Sequence, residues 1–238
     1  MFSDKDYAIA KTLALNIDVP DDYGTYEDGD DVDYEPIYTG CGLTEEIQND
    51  VSVENGISKV VVIPTAFQWV LKIPMNGRWI YQYEYDSEDE DDYDNYTFDS
   101  FMWASAPDDS DYCWDELIKI EAAEKAGFGQ LFPHTEYLCE KAGKRYYIQE
   151  KVLPSYDYQP QNSEDSITRA KSLDSSIRWC SDEWRAAVIE KYGEDFWVNF
   201  CSWDQHRDSH ILNDMHSGNY GYREDGSPVI FDASGFND

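Results

Sequence analysis

Basic residues and long apolar runs are what this chain has least of. Its 238 residues include 18 Lys and Arg against 50 Asp and Glu, for a formal net charge of −32 at pH 7. A surface of that charge repels nucleic acid and anionic membranes, so we expect no direct nucleic-acid binding and a basic protein as the favoured partner. No apolar stretch reaches the roughly 20 residues of a membrane-spanning helix, and the first residues do not form a secretory signal.

Paired cysteines are also missing. The five cysteines are scattered, none forms a Cys-x-x-Cys pair, and the four histidines fall at no metal-ligand spacing. An odd, unclustered set indicates reduced thiols rather than a disulfide framework or a zinc site, and therefore predicts a cytoplasmic protein. The length suits one two-lobed domain with a sizeable core.

The acidic residues are concentrated in two stretches, residues 18–35 and residues 84–94. The second has eight acids in eleven positions, and tyrosines interleave with the acids in both. One interpretation is a solvated loop, which is the usual state of a run of like charges. The other is a mimic of duplex phosphates or a docking surface for a basic protein, because aromatic residues among acids can anchor an interface.

A motif near the C-terminus indicates a particular chemistry. Asp214 is followed five positions later by Asn219, and the strand-like run 229–231 leads to Asp232. Asp214 would orient or deprotonate an attacking hydroxyl, while Asn219 and Asp232 would hold Mg²⁺ between the phosphates of ATP. Carboxylate and amide oxygens are hard ligands that suit Mg²⁺. We expect His216, inside the motif, to have a structural hydrogen-bonding role rather than an acid–base role.

Segments upstream supply candidates for nucleotide binding. Lys72 lies in an apolar, strand-like segment, where it can pair with phosphates. Before it, residues 54–60 are predicted to form a turn that leads into a strand at 61–63. This turn contains Gly56 and Ser58 and occupies the place of a phosphate-covering loop. A strand that runs to Glu150 and Val152 can offer backbone groups to an adenine edge.

Two choices stay open in this upstream part. The glycine-containing segment 38–42 competes as the phosphate-covering loop, although it lies farther from Lys72. An acidic partner for the lysine is expected on a helix predicted over residues 114–126, ended by Gly127. Glu116 and Glu121 are the two candidates on that helix.

In order and spacing these segments resemble the protein-kinase-like superfamily. The matching stretches are VLKIP for the strand lysine, DELIKIEAAEKAG for the helix, YYIQEKV for the hinge, DMHSGN for the catalytic loop and FDASG for the metal-binding aspartate. The DMHSGN form is similar to that of small kinase-like proteins of bacteriophages, including those of T7-like phages, and to the DxHxxN loop of small-molecule phosphotransferases.

The resemblance implies an α+β, two-lobed fold with a strand-rich N-lobe and a truncated helical C-lobe. Residues 1–37 would be an acidic leader, residues 38–153 the N-lobe with an acidic insertion at 84–111, and residues 154–238 a minimal C-lobe. It implies an ATP- and Mg²⁺-dependent phosphotransferase, phage-encoded, acting on Ser or Thr of a host protein. The implied roles are phosphate binding for Lys72, support of that lysine by Glu116, action on the hydroxyl for Asp214, and metal binding for Asn219 and Asp232. The distance of Glu116 from Gly127 favours it over Glu121 within this resemblance.

The sequence departs from the family pattern in ways that support an alternative. Leu212 and Asn213 replace the His-Arg that precedes the catalytic Asp, and Ala233 and Ser234 replace the Phe of Asp-Phe-Gly. Six residues follow Asp232, where an activation segment and peptide-binding helices would come. The alternative is a kinase-like binding protein that captures a basic, nucleic-acid-binding host factor and needs no turnover.

Local patterns predict several further elements. They are a helix near residues 7–15, a helix over 182–192 ended by Gly193, a helix over 194–203 with aromatic residues in the core, a strand at 80–85 that extends the N-lobe sheet, and a C-terminal hairpin that turns at Asp225 and Gly226.

Overall fold

The structure is a computed structural model of the chain. It describes residues 1–17, 25–27, 51–55, 59–74, 77–85, 96–105, 112–158, 160–173, 180–206, 211–212 and 215–233. Within these, only the backbone is described for residues 25–27, 53–55, 77–85, 96–105 and 112–113.

The described part is mixed α+β, as the sequence predicts. Its helices are α1 (Asp4–Asn16), α2 (Tyr112–Lys125), α3 (Glu164–Ser172), α4 (Asp182–Tyr192) and α5 (Glu194–Gln205), with a short 3₁₀ turn at Gly129–Leu131. Its strands are β1 (Thr25–Glu27), β2 (Val51–Asn55), β3 (Lys59–Pro64), β4 (Trp69–Pro74), β5 (Gly77–Tyr85), β6 (Tyr96–Ser105), β7 (Thr135–Lys141), β8 (Lys144–Glu150), β9 (Leu153–Pro154), β10 (Tyr220–Tyr222) and β11 (Pro228–Ile230). Over these same ranges, no helix has both the length and the apolar character to cross a bilayer.

The chain forms two compact units. The first comprises Met1–Cys113 and Tyr137–Ile148, and the second comprises Trp114–Glu136 and Gln149–Asp238. Most of helix α2 groups with the second unit. The reason is packing: Ile120 and Ala123 of α2 are buried in the core of the second unit.

The first unit is built on a five-stranded antiparallel sheet in the order β2-β3-β4-β8-β7. The helix predicted near residues 7–15 is confirmed as α1, and it packs into the core of this unit. Ala10, Ala14 and Ile17 of this part of the chain are fully buried there, together with sheet residues such as Leu71. The start of the predicted acidic leader therefore contributes to the core.

The N-terminus of α1 is fixed by a capping box between Ser3 and Asp6. The Asp6 carboxylate also accepts a hydrogen bond from Trp69 Nε1 at 3.1 Å, which ties the helix to strand β4. The hydrogen bonds from Ser3, and then that from Trp69, lower the pKa of Asp6. An acidic residue in the first turn is thus explained by capping rather than by partner binding.

A separate three-stranded sheet, in the order β1-β6-β5, also belongs to the first unit. The prediction that the strand at 80–85 extends the N-lobe sheet was wrong, since β5 pairs along its length with β6. Strand β6 comes from the predicted acidic insertion at 84–111, so that insertion supplies a close hairpin partner of similar length. Strand β1, from the predicted acidic leader, pairs with the other edge of β6.

The second unit has a helical core rich in aromatic residues. The helix predicted over 182–192 is confirmed as α4, and Gly193 ends it with φ of 96°, a conformation that glycine adopts without strain. The next predicted helix is confirmed as α5, which continues to Gln205. Trp184, Trp197 and Phe200 of these helices are buried, so they serve the core, as expected.

Candidate functional site

The C-terminal hairpin brings the two predicted metal ligands together. Strands β10 and β11 pair in antiparallel register, with Tyr220 opposite Ile230, and the predicted turn at Asp225 and Gly226 is confirmed. At the open end of this hairpin, the Asn219 carbonyl accepts hydrogen bonds from the backbone N–H of Phe231 at 2.9 Å and of Asp232 at 3.2 Å. Asn219 and Asp232 are therefore neighbours, although twelve residues separate them in the sequence.

The segment before the hairpin is held by short-range hydrogen bonds. Asn219 is buried, and its backbone N–H donates to the His216 carbonyl at 2.9 Å. The Nδ1 atom of His216 accepts from the Gly218 N–H at 3.1 Å. His216 thus has the structural hydrogen-bonding role that the sequence suggested, and Asp232 remains half-buried at the edge of the site.

Helix α4 supports the hairpin from the core side. Trp184 is fully buried, and its Nε1 donates to the Gly221 carbonyl at 3.1 Å. The hydroxyl of Tyr220 accepts from the Ser181 N–H at 3.1 Å. Sequence reasoning missed both Trp184 and Gly221 as supports, although a glycine between two strand tyrosines is a recognised signal of close backbone approach.

A buried carboxylate holds the chain ahead of the predicted catalytic residue. Asp204, near the end of α5, is 1% exposed. Its two oxygens accept from the backbone N–H groups of Ile211 at 2.8 Å and Leu212 at 3.1 Å. This residue was also missed; the available signal was an Asp in the last turn of a helix, where the macrodipole disfavours negative charge. Asp214 itself lies outside the described residues.

Lys72 and Glu116 are both buried ionisable residues. Lys72 lies on β4, the third strand of the five-stranded sheet in chain order, and is 3% exposed. Glu116 lies in the first half of α2 and is 2% exposed; its Oε1 accepts from Gln149 Nε2 at 3.4 Å. Gln149 is fixed in turn by a hydrogen bond to Thr135 Oγ1 at 2.9 Å. The other two predicted phosphate-loop residues, Gly56 and Ser58, lie outside the described residues.

The structure distinguishes the two candidate glutamates of α2, Glu116 and Glu121. Glu121 has an exposed side chain and forms a surface ion pair with Lys125 at 3.4 Å, one helical turn away. Exposed pairs of this kind contribute little to stability. Glu116 is the buried acid on this helix and remains the candidate for a role at the site.

The predicted adenine-contact segment lies at the end of β8, and part of its hydrogen-bonding capacity is already used. The Glu150 backbone N–H donates to the His134 carbonyl at 2.8 Å, so this donor does not face a ligand. The Glu150 carboxylate accepts from the His134 N–H at 3.1 Å and from Arg223 Nε at 3.1 and 3.2 Å. Val152 is half-buried just beyond the strand, which leaves it as the better candidate for an adenine contact.

The cysteines of the described part do not suit nucleophilic chemistry. Cys139, Cys180 and Cys201 are free thiols, as predicted. Burial raises the pKa of the Cys201 thiol to about 12 and that of Cys180 well above its ordinary value. Both thiols are therefore protonated and weakly reactive at neutral pH.

The predicted metal ligands at the hairpin are oxygen donors. Across the residues whose side chains are described, no three His, Cys, Asp or Glu residues group closely enough to hold a metal ion. Asn219 and Asp232 instead offer one amide and one carboxylate. Mg²⁺ is commonly held by one or two such protein oxygens together with substrate phosphates and water.

The chain was also compared with known proteins. Protein-family models, curated proteins and solved structures gave no match.

Proposed function

We propose that the chain is an ATP- and Mg²⁺-dependent phosphotransferase of protein-kinase-like fold, phage-encoded and acting on a Ser or Thr hydroxyl of a host protein. The observation that carries the proposal is the hairpin that places Asn219 and Asp232 side by side. In phosphoryl transfer the protein mainly positions the reactants and stabilises charge, so two metal-ligand candidates whose backbones lie next to each other support this function.

The order of the described elements supports the proposal. A meander of three strands leads to Lys72 on the third, a helix with the buried Glu116 follows, and the segment at Val152 precedes the hairpin. This is the order in which a protein kinase supplies its phosphate-binding lysine, the acid that supports it, and its metal ligands.

Each residue has a separate task in this proposal. Asn219 and Asp232 hold Mg²⁺, whose chemistry is to neutralise charge on the phosphates. Lys72 binds the α- and β-phosphates, and Glu116 supports Lys72. Asp214 orients the attacking hydroxyl and accepts its proton.

Mg-ATP should stabilise the protein against heat. A ligand that binds only the folded state adds free energy by mass action, about 2.7 kcal/mol at a concentration 100 times Kd. Thermal unfolding with ATP and Mg²⁺, compared with Mg²⁺ alone and with ATP plus a chelator, measures this effect. Incubation with labelled ATP and a host lysate then tests transfer. An unchanged unfolding midpoint at millimolar Mg-ATP would remove the basis of the proposal.

A second candidate function is capture of a basic host protein, with no turnover. The topology of the three-stranded sheet favours it. The chain leaves β5 at Tyr85, opposite Tyr96, and leaves β1 at Glu27, opposite Ser100, so both exits point to the end of the sheet where β6 begins. In the sequence, acidic residues follow both exits, at 28–35 and 86–94. The parts of the two acidic stretches that follow these strands, residues 28–35 and 86–94, are thus connected to one end of one sheet.

This candidate predicts a salt-sensitive complex with a basic, nucleic-acid-binding partner. Charges on exposed surfaces are screened within about 8 Å at physiological salt, so capture should weaken steeply as salt rises. Replacing the eight acids at 84–94 by Asn and Gln should weaken capture and leave Mg-ATP binding unchanged.

A matched control removes the same number of charges elsewhere. Pull-downs from lysate at low and high salt would compare the wild type, the 84–94 variant and this control. Identical partners for all three proteins at both salt concentrations would rule out the candidate. The control neutralises eight exposed acids of the described helices and strands: Asp4, Glu121, Glu124, Glu140, Glu164, Asp165, Glu183 and Asp195.

A further inference from the structure

Arg223 joins three segments of the second unit through one guanidinium group. Its Nε donates to both carboxylate oxygens of Glu150, at 3.1 and 3.2 Å. Its Nη1 donates to the Gln130 carbonyl at 3.0 Å, and its Nη2 donates to the Phe132 carbonyl at 2.5 Å. The arginine therefore fixes the end of β8 and the turn that follows α2 at the same time.

The backbone of Arg223 belongs to the hairpin of the metal ligands. Its N–H donates to the Ser227 carbonyl and its carbonyl accepts from the Gly226 N–H, both at 2.9 Å, which closes the turn. From there, the paired strands β10 and β11 run without interruption to Asn219 and Asp232. A paired hairpin transmits displacement of one end to the other because its backbone hydrogen bonds fix the register.

We propose that Arg223 is a positioning residue that couples the Glu150–Val152 segment to the Asn219–Asp232 hairpin. The two segments then unfold and refold locally together, as one cooperative unit. This coupling rests on the proposed function where nucleotide binding is concerned. The Glu150–Val152 segment would contact adenine, and the Asn219–Asp232 hairpin would hold the metal. The coupling itself is a property of the fold and can be measured without nucleotide.

The contact geometry requires arginine. A guanidinium presents five N–H donors in a planar fork, so it can serve a carboxylate along one edge and two carbonyls along another. A lysine ammonium is a single point charge and can reach only part of this set. Hydrogen bonds to charged groups are among the stronger ones in proteins, so their loss should be measurable at all three segments.

Hydrogen exchange of the wild type and of Arg223→Gln and Arg223→Lys tests the coupling. Exchange should accelerate by at least about tenfold in the segments 128–134 and 148–153, which the guanidinium contacts, and also at Phe231 and Asp232, which it does not contact. Helices α1 and α3 should keep their protection. Arg169→Gln is the control, because Arg169 is exposed and makes one long ion pair of 3.9 Å with Glu194.

The pattern of protection decides the result. If only the two contacted segments exchange faster, while Phe231 and Asp232 keep their protection, Arg223 is a local support and the coupling is refuted. If the arginine variants unfold, Glu150→Gln is the milder variant to use. It should also accelerate hydrogen exchange at Phe231 and Asp232.

A nucleotide measurement separates this inference from the proposed function. The Mg-ATP affinities of Arg223→Lys, Asp232→Asn and the double variant should be non-additive if the two sites are coupled. Additive affinities would contradict the coupling. If the wild type binds no Mg-ATP, the proposed function fails, and the exchange pattern alone still decides whether Arg223 couples the two segments.

Discussion

Asp214→Asn should reduce phosphoryl transfer by about a thousandfold while leaving Mg-ATP affinity nearly unchanged. In the proposed reaction, Asp214 serves the attacking hydroxyl and not the nucleotide. General-base catalysis by a positioned side chain contributes about 10² to 10⁴ in rate, and the isosteric amide cannot accept the proton. The measurements are the rate of transfer from labelled ATP and the Mg-ATP affinity from titration.

Asp232→Asn should differ from Asp214→Asn by weakening the binding of Mg-ATP as well. Removal of a ligating carboxylate should lower affinity by more than about tenfold, since even the residues that only orient metal ligands are worth that much. Asp195→Asn supplies a matched control, because Asp195 is an exposed carboxylate in the first turn of α5. The control should retain wild-type binding and transfer.

Either of two results would contradict the roles assigned to Asp214 and Asp232. An Asp214→Asn protein that keeps its full effect on the host, with no change in any phosphorylated protein, would favour the binding-protein candidate. An Asp232→Asn protein that binds Mg-ATP as tightly as wild type would remove the metal-ligand role.

Local sequence signals were sufficient where a short-range rule determines the structure. Helix α4 begins after an N-cap at Ser181 and ends at Gly193, and both features can be read directly from the sequence. The hairpin turn at Asp225 and Gly226 follows from the same kind of rule. The adjacency of Asn219 and Asp232 was accessible too, since strand-like residues with a turn between them bring their two ends together.

Long-range pairing was less accessible. The alternation at 80–85 indicated a strand but carried no information about its neighbour. Strand β5 follows β4 after two residues, yet it pairs with β6, because both edges of β4 are already paired with β3 and β8. Asp204 and Arg223 were missed for a related reason: their partners are backbone groups of distant segments, which no side-chain pattern identifies. The grouping of α2 with the second unit depends in the same way on packing of residues far apart in sequence.

Gly221→Ala should be among the most destabilising single substitutions in the second unit. A Cβ atom at Gly221 would lie 2.0 Å from the Leu153 carbonyl oxygen and 3.0 Å from the Pro154 Cα. Both are backbone atoms of β9, so no change of side-chain rotamer relieves the clash, and β9 must separate from β10. Overpacking of this kind costs about 3 kcal/mol or more.

Gly143→Ala is the control for the loss of a glycine as such. Gly143 has φ of 78°, and a Cβ atom at this position would meet no atom within 4 Å. Its substitution therefore carries only the cost of a left-handed backbone, about 1 to 2 kcal/mol. Unfolding in urea, monitored by the fluorescence of buried tryptophans such as Trp184, would measure both variants. Equal destabilisation by the two substitutions would show that the close approach of β9 to β10 is not maintained in solution.

The same substitution at Gly221 links the fold to the proposed function. Strand β9 begins directly after Val152, and β10 begins directly after Asn219, so separating these strands displaces the proposed adenine contact from a proposed metal ligand. Gly221→Ala should therefore lose the Mg-ATP thermal shift even at temperatures where circular dichroism shows that the helices remain folded. A full thermal shift in this variant would mean that the β9 and β10 segments bind nucleotide independently, or that neither contacts it.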